Sequence, residues 1–166
     1  MNTQHRKSSR AKRYQADPLA MPKFWRPKIT PAQQLDAKLV HWDLITRFTD
    51  GTADAQTLWD WIETGYTYSQ IMRMHAEDGT GVTDEAMNAI AEQLAIYPAV
   101  IARYGATKRA AFTGPELNIA RAAGYVMDGL LEIDRHGIAE RAARWSIEQM
   151  TKLRRMQAGE VLEVLQ

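Results

Sequence analysis

Apolar side chains recur every three or four positions along most of the chain, a period that predicts helices. The first helix opens on Thr30-Pro31-Ala32-Gln33, an N-cap followed by proline at the first helical position and a capping-box glutamine. Leu35, Leu39, Trp42, Ile45 and Phe48 follow as one expected apolar face, and Thr49-Asp50-Gly51 ends it. After Thr52-Ala53-Asp54 a second helix carries Leu58, Trp59, Trp61, Ile62, Tyr66, Ser69 and Met72 as far as Glu77-Asp78-Gly79. Its apolar residues spread over more than one stripe, which predicts a central helix packed on two sides. Gly65 marks a point on it where a neighbour can approach closely.

Thr83-Asp84-Glu85 caps a third helical segment and places two acids at the positive end of its dipole. Met87, Ile90, Leu94, Ile101 and Tyr104 stay in phase across Pro98, so the segment reads either as one kinked helix or as two short ones. Phe112-Thr113-Gly114-Pro115-Glu116 is a capping box with a hydrophobic staple, and its helix carries Leu117, Ala120, Gly124, Met127 and Leu131. Ile119, Val126, Leu130 and Ile133 broaden that face before His136-Gly137. A last helix presents Ile138, Ala142, Trp145, Gln149, Leu153 and Met156. No stretch alternates as a strand and no repeat period appears, so the expected fold is all-α, a bundle of about five helices over residues 29–158.

Charge changes that picture at both ends. Residues 1–28 hold eight basic side chains and one acid, a net +7, punctuated by Pro18, Pro22 and Pro27, which predicts an extended, disordered arm. Phe24-Trp25 is the expected point where the arm meets the body. Residues 29–100 hold three basic and eleven acidic side chains, a net −8, and residues 101–166 ten and eight. Within the acidic part Asp36, Asp43 and Asp50 are seven apart, near one line of the first helix. The last helix carries Arg141, Arg144, Lys152 and Arg155 near an outward stripe. Residues 159–166 form a short apolar tail around Val161-Leu162 and Val164-Leu165.

Other chemistry is sparse. Zero cysteines exclude disulfides, thiolate metal sites and cysteine nucleophiles. His5, His41, His75 and His136 are scattered with no pair at helical spacing, so no metal site or cofactor is expected, and each is read as a satisfied or exposed side chain. Gly79-Thr80-Gly81 lacks the lysine and third glycine of a phosphate loop, and no Gly-x-Ser-x-Gly elbow exists. Asp128, Glu132 and Asp134 are read as a solvated helix surface with Arg135. No enzyme activity is expected. No apolar run reaches the ~18 residues of a membrane helix, and the charged start is not a secretory signal; a cytoplasmic protein without membrane contact is expected.

The Arg6-Lys7-x-x-Arg10-x-Lys12-Arg13-Tyr14 start, the Asp50-Gly51-Thr52-Ala53-Asp54 turn before a Trp-bearing helix, and Phe112-Thr113-Gly114-Pro115-Glu116-Leu117 resemble small helical phage and prophage proteins of proteobacteria. The chain departs from them after Tyr14, where Gln15-Ala16-Asp17-Pro18 replaces an Arg-Pro-Lys-Pro continuation. The resemblance implies a mobile-element context, in which proteins of this size are often regulators or inhibitors of host defence.

Three functions are expected from these features, in order. The first is binding of DNA, RNA or a nucleoprotein complex, with phosphate contacts from Arg6, Lys7, Arg10, Lys12 and Arg13, base stacking by Tyr14, and a second basic surface at Arg141, Arg144, Lys152 and Arg155. The second is inhibition of a host defence complex, of anti-CRISPR type, by an acidic protein-binding surface at Asp36, Asp43 and Asp60. The third is a virion or assembly component that forms a homo-oligomer through the Val161–Leu165 tail.

Overall fold

A computed structural model describes Pro22 and residues 26–153. They form five α-helices: α1 (Pro31–Asp50), α2 (Ala55–Glu77), α3 (Asp84–Thr107), α4 (Gly114–Glu132) and α5 (Ile138–Leu153). No strand occurs among the described residues, so the all-α bundle expected from the periodicity is what the chain builds. Arg6, Lys7, Arg10, Lys12, Arg13, Tyr14, the Phe24-Trp25 junction, Arg155 and the tail at 159–166 lie outside the described residues.

Local chemistry sets the helix starts. Reciprocal capping boxes close at Thr30 with Gln33, Asp54 with Thr57, and Thr113 with Glu116, and Thr83 accepts from the Ala86 amide at the head of α3. Each cap satisfies a backbone N–H that a helix start leaves without a partner. Glu116 does more than cap. Arg103 grips it through two hydrogen bonds of 2.6 and 2.8 Å and also donates to the Ala111 carbonyl at 2.6 Å, tying the end of α3 to the start of α4. The Arg103 hydrogen bond is the main reason the Glu116 carboxyl titrates below the ordinary range. Pro98 does not divide α3, which runs as one helix. The proline is solvent-exposed while Tyr97 and Val100 on either side are buried, so core contacts hold the helix against a local cost of ~3 kcal/mol.

As its multiple stripes predict, α2 is central, packing against each of the other four helices. α1 and α4 run antiparallel: Gln34 Nε2 donates to the Leu131 carbonyl at 2.9 Å, Trp42 Nε1 to Asp128 at 3.1 Å, and Phe48 stacks on Phe112 at 4.2 Å. The core falls into two apolar clusters, one around Phe48, Trp61, Tyr97 and Val100, the other around Tyr68, Ile71, Met127, Leu131 and Ile138. Along α1, α2 and α3 the residues between the two clusters are His41, Gly65 and Gln93, so a polar waist crosses the bundle.

Both sides of the waist depend on glycine. At Gly65 a Cβ would overlap the Tyr97 hydroxyl, which accepts from Gln93 Nε2 at 2.9 Å, and at Gly124 a Cβ would overlap Nε2 of His41. The α1 face departs from expectation. Its buried residues are His41, Leu44, Ile45 and Phe48, with Ala37 packed against the core on the same face, whereas Leu35 and Leu39 are 57% and 58% exposed because helical phase turns both away from that face.

Gly65→Ala is expected to destabilise the fold by roughly 1–3 kcal/mol, as overpacking does, with a smaller loss in a Tyr97→Phe background. Urea denaturation of the two single variants and the double variant measures that coupling.

Candidate functional site

The exposed side of α1 combines aliphatic side chains with acids that have no ion pair among the described residues. Helical spacing puts Asp36 and Asp43 on one line, with Leu39 on its α4 side and Val40 on its α2 side. Leu35, Leu39 and Trp42 continue as an apolar strip onto Tyr125 of α4, which is 69% exposed and lies 5.1 Å from the Trp42 ring. On the other side Val40 is 56% exposed and faces a groove of about 390 Å³ lined by Ala37, Asp60, Glu63, Thr64, Thr67 and Tyr68. The fold thus brings Asp60 and Glu63, from α2, beside Val40, whose neighbours round α1 are Asp36 and Asp43.

That surface keeps its negative charge. Among the described residues no basic side chain forms an ion pair with Asp36, Asp43, Asp60 or Glu63. Lys38 turns away to α4, where its ammonium binds Glu132 at 2.8 Å and its pKa is raised by that hydrogen bond. Asp50, the last residue of α1, and Asp54, the N-cap of α2, are occupied by Thr52 and Thr57, whose hydrogen bonds lower their pKa values.

The groove continues past Ala37, Thr67 and Tyr68 into a cleft of about 550 Å³ between α1, α2 and α5. Pro27, Lys28, Ile29 and Thr30 form one wall of it, where the N-terminal chain joins the bundle. Asp134 holds that junction. It is 3% exposed and lies beyond the end of α4, accepting from the Ile29 amide and the Ala139 amide at 2.9 Å each. This corrects the sequence reading of Asp128, Glu132 and Asp134 as one solvated surface with Arg135. Asp128 receives the Trp42 indole N–H, only Glu132 is exposed, and Arg135 donates to the Asp78 carbonyl at 2.8 Å.

The basic candidates on α5 are less uniform than their spacing. Arg144 and Lys152 are exposed, Arg141 is half-buried, and Arg144 binds Glu140 at 2.7 Å one turn earlier. Glu148, also exposed, interrupts the stripe. Of the tryptophans, Trp59 is 50% exposed on α2, and Trp42 is half-buried.

Histidine is where sequence reasoning missed most. His41 and His75 are both fully buried. His75 Nδ1 meets the Thr80 hydroxyl at 3.0 Å, but neither ring nitrogen of His41 has a partner among the described residues. The reading of each histidine as satisfied or exposed therefore fails at position 41, where α1 and α4 close over the ring at Gly124. Helical phase could have flagged it, since His41 lies three and four residues before Leu44 and Ile45 and shares their face. His136 sits not in a helix but in the α4–α5 turn, near Asp78 at 3.2 Å. Among the described residues no group of three or more His, Cys, Asp or Glu is placed to hold a metal ion, and no helix is long and apolar enough to cross a membrane.

No protein-family model, curated protein or solved structure matches the chain. The α1–α2 face is the candidate site on its own geometry.

His41 sets a pH dependence behind that face. Burial lowers its pKa from 6.5 to about 4, with Asp128 of α4 pulling weakly the other way. The unfolded chain takes up the proton first, so stability is intact above about pH 6.5 and is lost as pH falls toward about 4, by an amount on the order of 3 kcal/mol. Chemical denaturation at pH 7, 5.5 and 4.5 should show this slope, and His41→Leu should flatten it.

Proposed function

We propose that the chain is a protein-binding module whose α1–α2 face engages a basic, partly apolar surface of a partner. The observation that carries this reading is the set of four acids without ion pairs, Asp36, Asp43, Asp60 and Glu63, set around Leu35, Leu39 and Val40, which the bundle leaves exposed. Exposed aliphatic side chains supply desolvation energy on contact, and the acids supply orientation and association rate. The partner chemistry that fits is a protein groove lined with lysine and arginine, of the kind that nucleic-acid phosphate otherwise fills. Inhibition of a nucleoprotein defence complex, of anti-CRISPR type, is one use of such a face.

A second reading is favoured by the charge of residues 1–28: the arm, helped by Arg141, Arg144 and Lys152, binds DNA or RNA.

Two measurements separate these readings. For the first, the probe is a helical peptide with lysine on one face and leucine on the other, followed by calorimetry. The Asp36→Lys, Asp43→Lys and Asp60→Lys triple variant is expected to weaken binding roughly tenfold or more, and Leu39→Asp to weaken it although it adds negative charge. Asp36, Leu39 and Asp43 are exposed, and Asp60 is half-buried with one hydrogen bond, from Gln56 within its own helix, so melting should shift little. Unchanged affinity in both variants would end the protein-binding reading. For the second, neutralising Arg6, Lys7, Arg10, Lys12 and Arg13 to glutamine in the full chain should lower the slope of log affinity for duplex DNA against log salt by about four. An unaltered slope removes the arm as a phosphate-binding element.

A further inference from the structure

The acidic groove and the cleft beside it share Ala37, Thr67 and Tyr68, so together they form a continuous track. One end of the track is the point where the N-terminal chain joins the bundle, with Pro27, Lys28, Ile29 and Thr30 in the cleft wall and the Ile29 amide held by Asp134. Asp60 and Glu63 line its groove end without an ion pair, while in the cleft Asp134 is taken up by the Ile29 and Ala139 amides and Glu140 by Arg144; Lys28 is the only basic lining residue among those described. Asp43 and Asp36 extend the negative charge along α1. The chain that enters here is the strongly basic one. Between Arg6 and Arg13 it carries five cations in eight residues.

Reach is not limiting. Thirteen residues lie between Arg13 and Pro27, and fourteen fully extended Cα-to-Cα steps span roughly 45 Å, against about 30 Å for the whole of α1. An arm tethered at the end of the track also meets the face at an effective concentration that a separate partner must exceed.

We propose that the Arg6–Arg13 stretch of the chain's own arm occupies the α1–α2 face when no partner is bound, pairing with Asp36, Asp43, Asp60 and Glu63. The arm then masks the surface assigned above to a basic partner, and this inference rests on that assignment. A polyanion that draws the arm away uncovers the face, so the two binding activities are linked: nucleic acid on the arm strengthens protein binding at α1–α2.

The absence of cysteine makes the contact directly measurable. Ser9→Cys introduces a single thiol for a nitroxide label, and paramagnetic broadening of backbone amides is recorded on the full ¹⁵N-labelled chain. At low salt, amides of residues 36–43 and 60–67 should broaden. The effect should fall at least twofold in 0.5 M salt, where the Debye length is only a few ångströms, and in the Asp43→Lys, Asp60→Lys variant. Broadening that is absent, lies elsewhere, or ignores salt overturns the proposal. So does broadening of an unlabelled ¹⁵N chain by a separate spin-labelled chain at the same level, which would assign the face to a second copy's arm.

The lysine–leucine peptide separates the role of the face from that of the arm. Neutralising the five arm cations should tighten its binding, by roughly tenfold if the face is open a tenth of the time. A peptide whose affinity depends on Asp43 and Asp60 but not on the arm leaves the face standing and removes the arm from it. A peptide indifferent to both removes the two together.

Discussion

The architecture depends on how closely the helices approach at the polar waist. Gly65 lets α3 bring the Tyr97 hydroxyl against the backbone of α2, and Gly124 lets α1 lay the His41 ring against α4. Both contacts exclude even a methyl group. They set the spacing at which the apolar clusters above and below can each close, around Trp61 on one side and Met127 on the other. The cost is polar groups without partners, including His41, the Trp61 indole N–H and the Gln93 carbonyl. Unsatisfied buried groups cost about 1–3 kcal/mol each, so the packing gained by the close approach has to outweigh them.

The same geometry explains why the candidate face exists. α1 is anchored through His41, Leu44, Ile45 and Phe48, all in its C-terminal part, while its N-terminal part is held by polar contacts at Gln34 and Lys38. That arrangement spends the polar groups of α1 on α4 and leaves Leu35, Leu39 and Val40 toward solvent beside Asp36 and Asp43. Asp134 completes the setting from a distance in sequence: by holding the Ile29 amide it fixes Pro27, Lys28, Ile29 and Thr30 as a wall of the cleft that adjoins the groove. The near-neutral total charge conceals a basic N-terminal stretch and an acidic remainder.

Much of the fold was legible in the chain because helix starts are local events. Thr30, Asp54, Thr83 and Thr113 lie within three residues of the amides they cap, so short motifs suffice to find them. The central place of α2 was legible from its several apolar stripes, and the close approach at Gly65 from a lone glycine within them. Pro98 was not decidable locally, because the buried Tyr97 and Val100 that keep α3 whole derive their weight from partners far along the chain. Leu35 and Leu39 recur at three and four with Trp42, but the bundle buries the face of His41, Leu44, Ile45 and Phe48, which lies round the helix from them.

Sequence by itself determined the helical class, the capped boundaries and the segregation of charge between arm and body, since these follow from spacing, side-chain type and composition. Tertiary structure alone decided that Asp60 and Glu63 flank Val40 on the α2 side of α1, that these acids have no ion pair among the described residues, that Leu35 and Leu39 stay exposed, that His41 is sealed in, and that Pro27–Thr30 wall the cleft adjoining the groove. Each of those facts relates residues of different helices, and contacts between helices are set by packing of the whole bundle, which no local pattern encodes.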